Sequence, residues 1–146
     1  MRRQHCFVFL GLLLASCAPA ANWQPAAPSE VQFAQEDDPG ARVVRFEFVS
    51  RSARDLCISA DNWPWQGVLS FGSDQAAITV GGVEYRMTDV NLGHCLDLET
   101  NGRACEMRLK PGERLASYLS YEAFALPETV GDQPKQLRYD LSFYAC

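Results

Sequence analysis

Leu137-Arg138-Tyr139-Asp140-Leu141-Ser142-Phe143 alternates apolar and polar side chains without a break, close to the end of a chain of 146 residues. Side chains two apart share one face of a strand, so the run predicts a strand with Leu137, Tyr139, Leu141 and Phe143 turned inward. The same period recurs upstream. Val44, Phe46 and Phe48 alternate with Arg45 and Glu47, and Cys105, Met107 and Leu109 alternate with Glu106, Arg108 and Lys110. Ile78 and Val80 lead into Gly81-Gly82, after which Val83, Tyr85 and Met87 alternate again. Two adjacent glycines permit the positive φ angles of a primed turn, so this segment reads as a hairpin. Pro111-Gly112 supplies a further turn before Leu115, Leu119 and Tyr121. Helical periodicity is absent from residue 41 onward. Roughly seven strands between turn signals predict an all-β domain over 41–146, an immunoglobulin-like antiparallel β-sandwich, with a small β-barrel as the alternative.

Six cysteines stand at positions 6, 17, 57, 95, 105 and 146. The first two fall in or beside an N-terminal apolar segment, which leaves Cys57, Cys95, Cys105 and Cys146 for the domain. An even number in an exported domain argues for two disulfides. Three pairings are possible, and the expected one joins Cys95 to Cys105 and Cys57 to Cys146. The first closes a local loop around Asn101-Gly102; the second ties an early strand to the last residue of the chain. In the loop-entropy model they contribute about 3 and about 4.6 kcal/mol. A zinc site is disfavoured because Cys-x-x-Cys pairs are absent, and no metal or other cofactor is expected.

His94 is the one histidine outside the N-terminal segment. A catalytic triad would need it as base with Asp89 or Asp97 as orienter, but Ser70, Ser73, Ser117 and Ser120 all lie on or beside predicted strands, outside any nucleophile elbow. Asp89-Val90-Asn91-Leu92-Gly93 would resemble a calcium loop, except that Thr100 stands where the twelfth-position glutamate belongs. Enzyme activity is therefore the least favoured expectation. Asn62-Trp63-Pro64-Trp65-Gln66-Gly67 is the segment richest in binding chemistry. Its two indoles either fold over the core or, held outward by Pro64, stack on a sugar ring or anchor a protein interface. Trp63, Pro64 and Trp65 are the candidate binding residues, although burial of the rings is the favoured reading. Tyr118, Tyr121 and Phe124 are expected to pack.

The chain carries 13 basic and 18 acidic residues. Its cations are scattered in sequence, and an acidic surface repels phosphate backbones, so nucleic-acid binding is disfavoured. Residues 17–40 are rich in Ala, Pro and Gln, carry the acidic run Glu36-Asp37-Asp38, and lack sustained periodicity. They read as a flexible tether.

The first residues have a separate logic. Arg2 and Arg3 precede an apolar run from Phe7 to Leu14, too short to span a bilayer as a helix, and Leu14-Ala15-Ser16-Cys17 follows. This segment resembles the lipobox of bacterial lipoproteins. The resemblance implies a signal peptide at 1–16, removed by cleavage, and a thioether-linked diacylglycerol with N-acylation on Cys17. Ala18 in place of an aspartate implies the outer membrane, with the domain facing the periplasm; a secreted or soluble periplasmic protein is the alternative. Loss of Arg2 and Arg3 leaves 11 basic against 18 acidic residues, a net charge of −7. Together these readings predict a non-catalytic, membrane-anchored module that binds or assembles with an envelope protein or glycan. The alternative is an inhibitor of a periplasmic or host hydrolase, contacting it through the loop between Cys95 and Cys105.

Overall fold

A computed structural model describes residues 24–70, 74–88 and 105–146. The described residues are all-β, with no α-helix and nine strands: β1 Val31–Asp38, β2 Val43–Ser50, β3 Leu56–Ser59, β4 Ala76–Val80, β5 Val83–Arg86, β6 Glu106–Leu109, β7 Arg114–Ser120, β8 Lys135–Tyr139 and β9 Tyr144–Ala145. They form three antiparallel sheets ordered β1-β2-β7, β6-β3-β9 and β5-β4-β8. The sheets do not close into a barrel; they pack as a sandwich.

Alternation decides which side chains meet. Val44, Phe46 and Phe48 of β2 point inward and are buried, while Arg45 faces water. Phe46 meets Tyr139 of β8 edge-on, with ring centroids 5.1 Å apart, and Phe48 meets Phe143 at 5.2 Å. These contacts join the first sheet to the chain's last segment. Leu56, Ile58 and Leu109 close the same core from the β6-β3-β9 sheet. Burying an aromatic or aliphatic side chain in such a core stabilises the fold by about 1.5–3 kcal/mol.

The turns follow their residues. Gly81 and Gly82, at φ +55° and +83°, make the two-residue turn of the β4–β5 hairpin, with Val80 opposite Val83. Pro111-Gly112 also turns the chain, but it passes β6 of one sheet to β7 of another; no hairpin forms there. The run 137–143 keeps its burial pattern without remaining one strand. β8 ends at Tyr139, the chain crosses between sheets, and β9 pairs with β3.

One expectation is overturned. The stretch from Gln24 to Gly40, read as tether, belongs to the domain. Glu30 closes a 3-10 turn over Pro28–Glu30, and its carboxylate accepts from the Ala27 N–H at 2.8 Å, from Ser52 Oγ at 2.8 Å and from the Arg54 guanidinium at 3.3 Å. Ala26 N–H donates to the Phe143 carbonyl at 2.8 Å, and Ala145 N–H donates to that of Gln24 at 2.9 Å. β1 then pairs with β2 along its whole length. It escapes a search for apolar alternation because its inward positions are Val31, Phe33, Gln35 and Asp37, two apolar and two polar.

The polar pair bonds the free edge of β8. The Gln35 amide accepts from Leu137 N–H at 2.6 Å and donates to the Leu137 carbonyl at 3.1 Å. Asp37 Oδ2 accepts from Lys135 N–H at 3.1 Å, and Oδ1 accepts from the Tyr121 hydroxyl. The Lys135 side chain is fully buried; its ammonium donates to the carbonyls of Gly131 and Gln133, lies 3.7 Å from Asp37 and sits 4.3 Å over the Tyr121 ring centre. Burial first, and then the Asp37 carboxylate, push the Tyr121 phenol well above its ordinary titration range.

Asp37→Ala strips an acceptor from a buried hydroxyl and a counter-charge from a buried ammonium. It is expected to cost about 2–4 kcal/mol in urea unfolding, whereas Glu36→Ala on the opposite face changes stability by less than about 0.5 kcal/mol. A second expectation concerns acid. Bonds from Ala27, Ser52 and Arg54 hold the Glu30 carboxyl at about 2, below its ordinary 4.5. A depressed carboxylate pKa stabilises the folded state above the ordinary value, and that contribution disappears as pH falls through the folded one. The protection factors of the Ala27 and Arg54 amides, taken against intrinsic exchange at each pH, should therefore fall between about pH 4.5 and 2, and Glu30→Gln should show the lower protection already at neutral pH.

Candidate functional site

The Trp63-Pro64-Trp65 segment divides its two indoles between core and solvent. Trp63 leaves the 3-10 turn Ala60–Asn62 in an extended conformation and meets Phe46 edge-on at 5.6 Å and Phe48 at 6.3 Å. Tyr139 donates its hydroxyl to the Asn62 carbonyl and fixes the approach to this contact. Pro64 is buried. Trp63 is thus a half-buried core residue.

Trp65 goes the other way and is 52% exposed. It begins a two-residue hairpin in which Trp65 N–H donates to the Val68 carbonyl at 2.9 Å and Val68 N–H returns the bond at 3.1 Å. Gln66 and Gly67 have φ of +51° and +82°, the left-handed pair that a primed turn requires. Gly67 is there for a second reason. A Cβ at this position would lie 2.8 Å from Cε2 of Tyr118 and 3.1 Å from the Ser120 nitrogen, whose N–H donates to the Gly67 carbonyl at 2.9 Å. The turn is therefore seated on the end of β7, with Tyr118 against its glycine.

Tyr118 is 38% exposed, because it points away from the core on the outer face of the β1-β2-β7 sheet. On that face the strand register sets Glu36, Arg45 and Tyr118 in one row, and Ala34, Glu47 and Ala116 in the next. Two alanines beside longer neighbours leave a shallow hollow of about 530 Å³ floored by these residues. Arg45 is held by Asp38 at 3.0 Å, and Glu47 by Arg114 at 3.1 Å. The hollow therefore offers an aromatic wall and fixed hydrogen-bonding groups, chemistry suited to noncovalent recognition.

Other expected residues fall as follows. Cys57 and Cys146 form a disulfide with Cα atoms 5.1 Å apart. Cys17, Cys95 and His94 lie outside the described residues, as do Asp89, Asp97 and the Asn101-Gly102 turn, so the expected pairing of Cys95 with Cys105 lies there as well. Ser70 is buried, Ser117 faces inward on β7, and Ser120 caps the 3-10 turn Tyr121–Phe124 by accepting from Glu122 N–H at 3.3 Å. Tyr121 and Phe124 are core residues, as expected, whereas Tyr118 is not. No residue pattern marked Tyr118, Ala34 or Glu36 as neighbours: only the register of three strands sets them side by side.

No protein-family model matches the chain, and no curated protein or solved structure is significantly similar to it.

The two tryptophans should separate cleanly in denaturant titrations. Trp63→Ala is expected to cost about 2–4 kcal/mol and Trp65→Ala less than about 1 kcal/mol. Gly67→Ala, strained in φ and crowded by Tyr118, should cost about 1–3 kcal/mol.

Proposed function

We propose that this protein is a lipid-anchored, non-catalytic binding module of the bacterial cell envelope. Cys17 carries the lipid, the outer membrane holds it, and the sandwich faces the periplasm. The contact surface is the outer face of the β1-β2-β7 sheet together with the Trp65 turn.

The observation that carries this reading is the exposure of Trp65 on a turn closed by its bonds to Val68 and seated through Gly67 on Tyr118 and Ser120. A large indole held half in water costs solvation that a freely packing side chain would avoid, and a rigid aromatic loses little entropy when a partner covers it. Tyr118, against which Gly67 of the same turn is seated, is a second exposed aromatic, and Glu36, Arg45 and Glu47 supply polar contacts beside it. The resemblance of residues 1–17 to a lipoprotein leader supports the anchor.

A photoreactive amino acid at Gln66 in intact cells tests the surface. A reproducible adduct is expected, protein or glycan, and Trp65→Ala combined with Tyr118→Ala should weaken capture by roughly 30-fold or more, the scale of an interface hot spot. Undiminished capture by the double variant would reject this face. The anchor has its own readout: Cys17→Ser should abolish incorporation of labelled palmitate and release the protein from the membrane fraction.

A further inference from the structure

An edge strand carries a row of N–H and C=O groups without a neighbour, and proteins shorten, charge or cover such edges. Here β1 and β8 cover each other through Gln35 and Asp37, β5 and β6 have four residues each, and β9 has two. Among the described strands β7 is the exception. It is the outer strand of its sheet, seven residues long and free of proline, and its register against β2 runs unbroken from Arg114 to Ser120.

Two hydrogen bonds show which way the groups of β7 point. Tyr121 N–H donates to the Arg42 carbonyl, on the β2 side, and Ser120 N–H donates away from β2, to the Gly67 carbonyl at 2.9 Å. Successive residues of a strand bond to opposite sides, so Leu115, Ser117 and Leu119 serve β2. The N–H and C=O groups of Arg114, Ala116 and Tyr118 point off the sheet. No described residue bonds them, and all three residues are exposed. The Gly67 turn closes the edge at Ser120, which centres the open stretch on Ala116.

We propose that a second copy of this chain pairs here, β7 antiparallel to β7, about a twofold axis at Ala116. Only this register engages all three outward residues of both copies. Ala116 meets Ala116 of the second copy and Arg114 meets its Tyr118, each pair exchanging two N–H···O=C bonds. The side chains agree with the backbone. Facing alanines put no bulk at the axis, and Arg114 lies beside an aromatic ring of the second copy, with no like charge opposite it. Glu47, 3.1 Å from Arg114, balances that cation within its own copy. The pairing makes one six-stranded sheet and joins the two hollows across the seam, with Ala34, Glu47 and Ala116 of each copy in one row. The inference goes beyond the binding reading of this face and does not depend on the lipid.

The test uses the full chain, purified as the cell processes it and oxidised with copper phenanthroline. Facing residues of a bonded antiparallel pair have Cα atoms about 5.5 Å apart, inside the range of about 4.4–6.8 Å that a disulfide spans. Ala116→Cys should therefore couple copy to copy well above the unmutated chain treated alike. Arg114→Cys alone and Tyr118→Cys alone should not, because each thiol lies about 13 Å along the strands from its counterpart, whereas the variant carrying both should couple. In sedimentation the unmutated chain should dimerise with a Kd between about 1 µM and 1 mM. Ala116→Pro removes one outward N–H and no bond to β2, so it should weaken dimerisation about tenfold or more with near-ultraviolet circular dichroism unchanged. If that variant does not fold, the thiol pattern decides alone. A chain that stays monomeric up to about 1 mM overturns the pairing, as does equal coupling by the three single variants. So does an Ala116→Cys thiol that joins Cys95 of its own chain or a different protein, since another segment or partner then holds the edge. None of these outcomes bears on capture at Gln66, which tests the binding reading separately.

Discussion

Asp37 places a carboxylate where three groups need one. Its oxygens accept from the Tyr121 hydroxyl and the Lys135 backbone N–H, and its charge lies 3.7 Å from a Lys135 ammonium that has no access to water. An unmet hydrogen bond at any of these sites would cost about 1–3 kcal/mol, and an uncompensated buried cation more. Strand β1, the 3-10 turn after β7 and the start of β8 therefore share one anchoring point. Gln35 continues the same function one row along, its amide standing in for a neighbouring strand at Leu137. Three-stranded sheets expose many edges, and this sandwich stays closed at the β8 edge because β1 offers side chains there instead of a backbone ladder.

The same β1 positions the functional surface. Its inward residues bond β8, so its outward residues Ala34 and Glu36 must line the hollow beside Arg45, Glu47 and Tyr118. A slip of one residue would exchange the two sets. At the far end of the strand, Asp38 accepts from Ala41 N–H at 3.0 Å and steadies the bend into β2, next to the Ser120 backbone that carries the Trp65 turn. The near end holds Glu30, clamped by Ser52 and Arg54.

Much of this was legible in the residues. The alternation at 44–48 and 137–143 and the Gly81-Gly82 hairpin follow from side-chain period and from φ requirements, and the expected pairing of Cys57 with Cys146, one of three that four thiols allow, is the one formed. β1 was not legible, because Glu36-Asp37-Asp38 looks solvated whenever the partner of Asp37 is unknown. The two tryptophans were ambiguous for a similar cause. Nothing in Trp63-Pro64-Trp65 distinguishes the indole that meets Phe46 from the one that does not.

By itself the sequence determined the all-β class and the Gly81-Gly82 hairpin, since each depends on local period or local dihedral demand, while four thiols left three pairings open until the fold joined Cys57 to Cys146. Only the tertiary structure decided that residues 24–40 belong to the sandwich and that the turn after Trp65 is seated against Tyr118 at the end of β7. Those outcomes depend on strand register and on pairings between residues as far apart as Gln35 and Leu137, and such contacts have no signature along the chain.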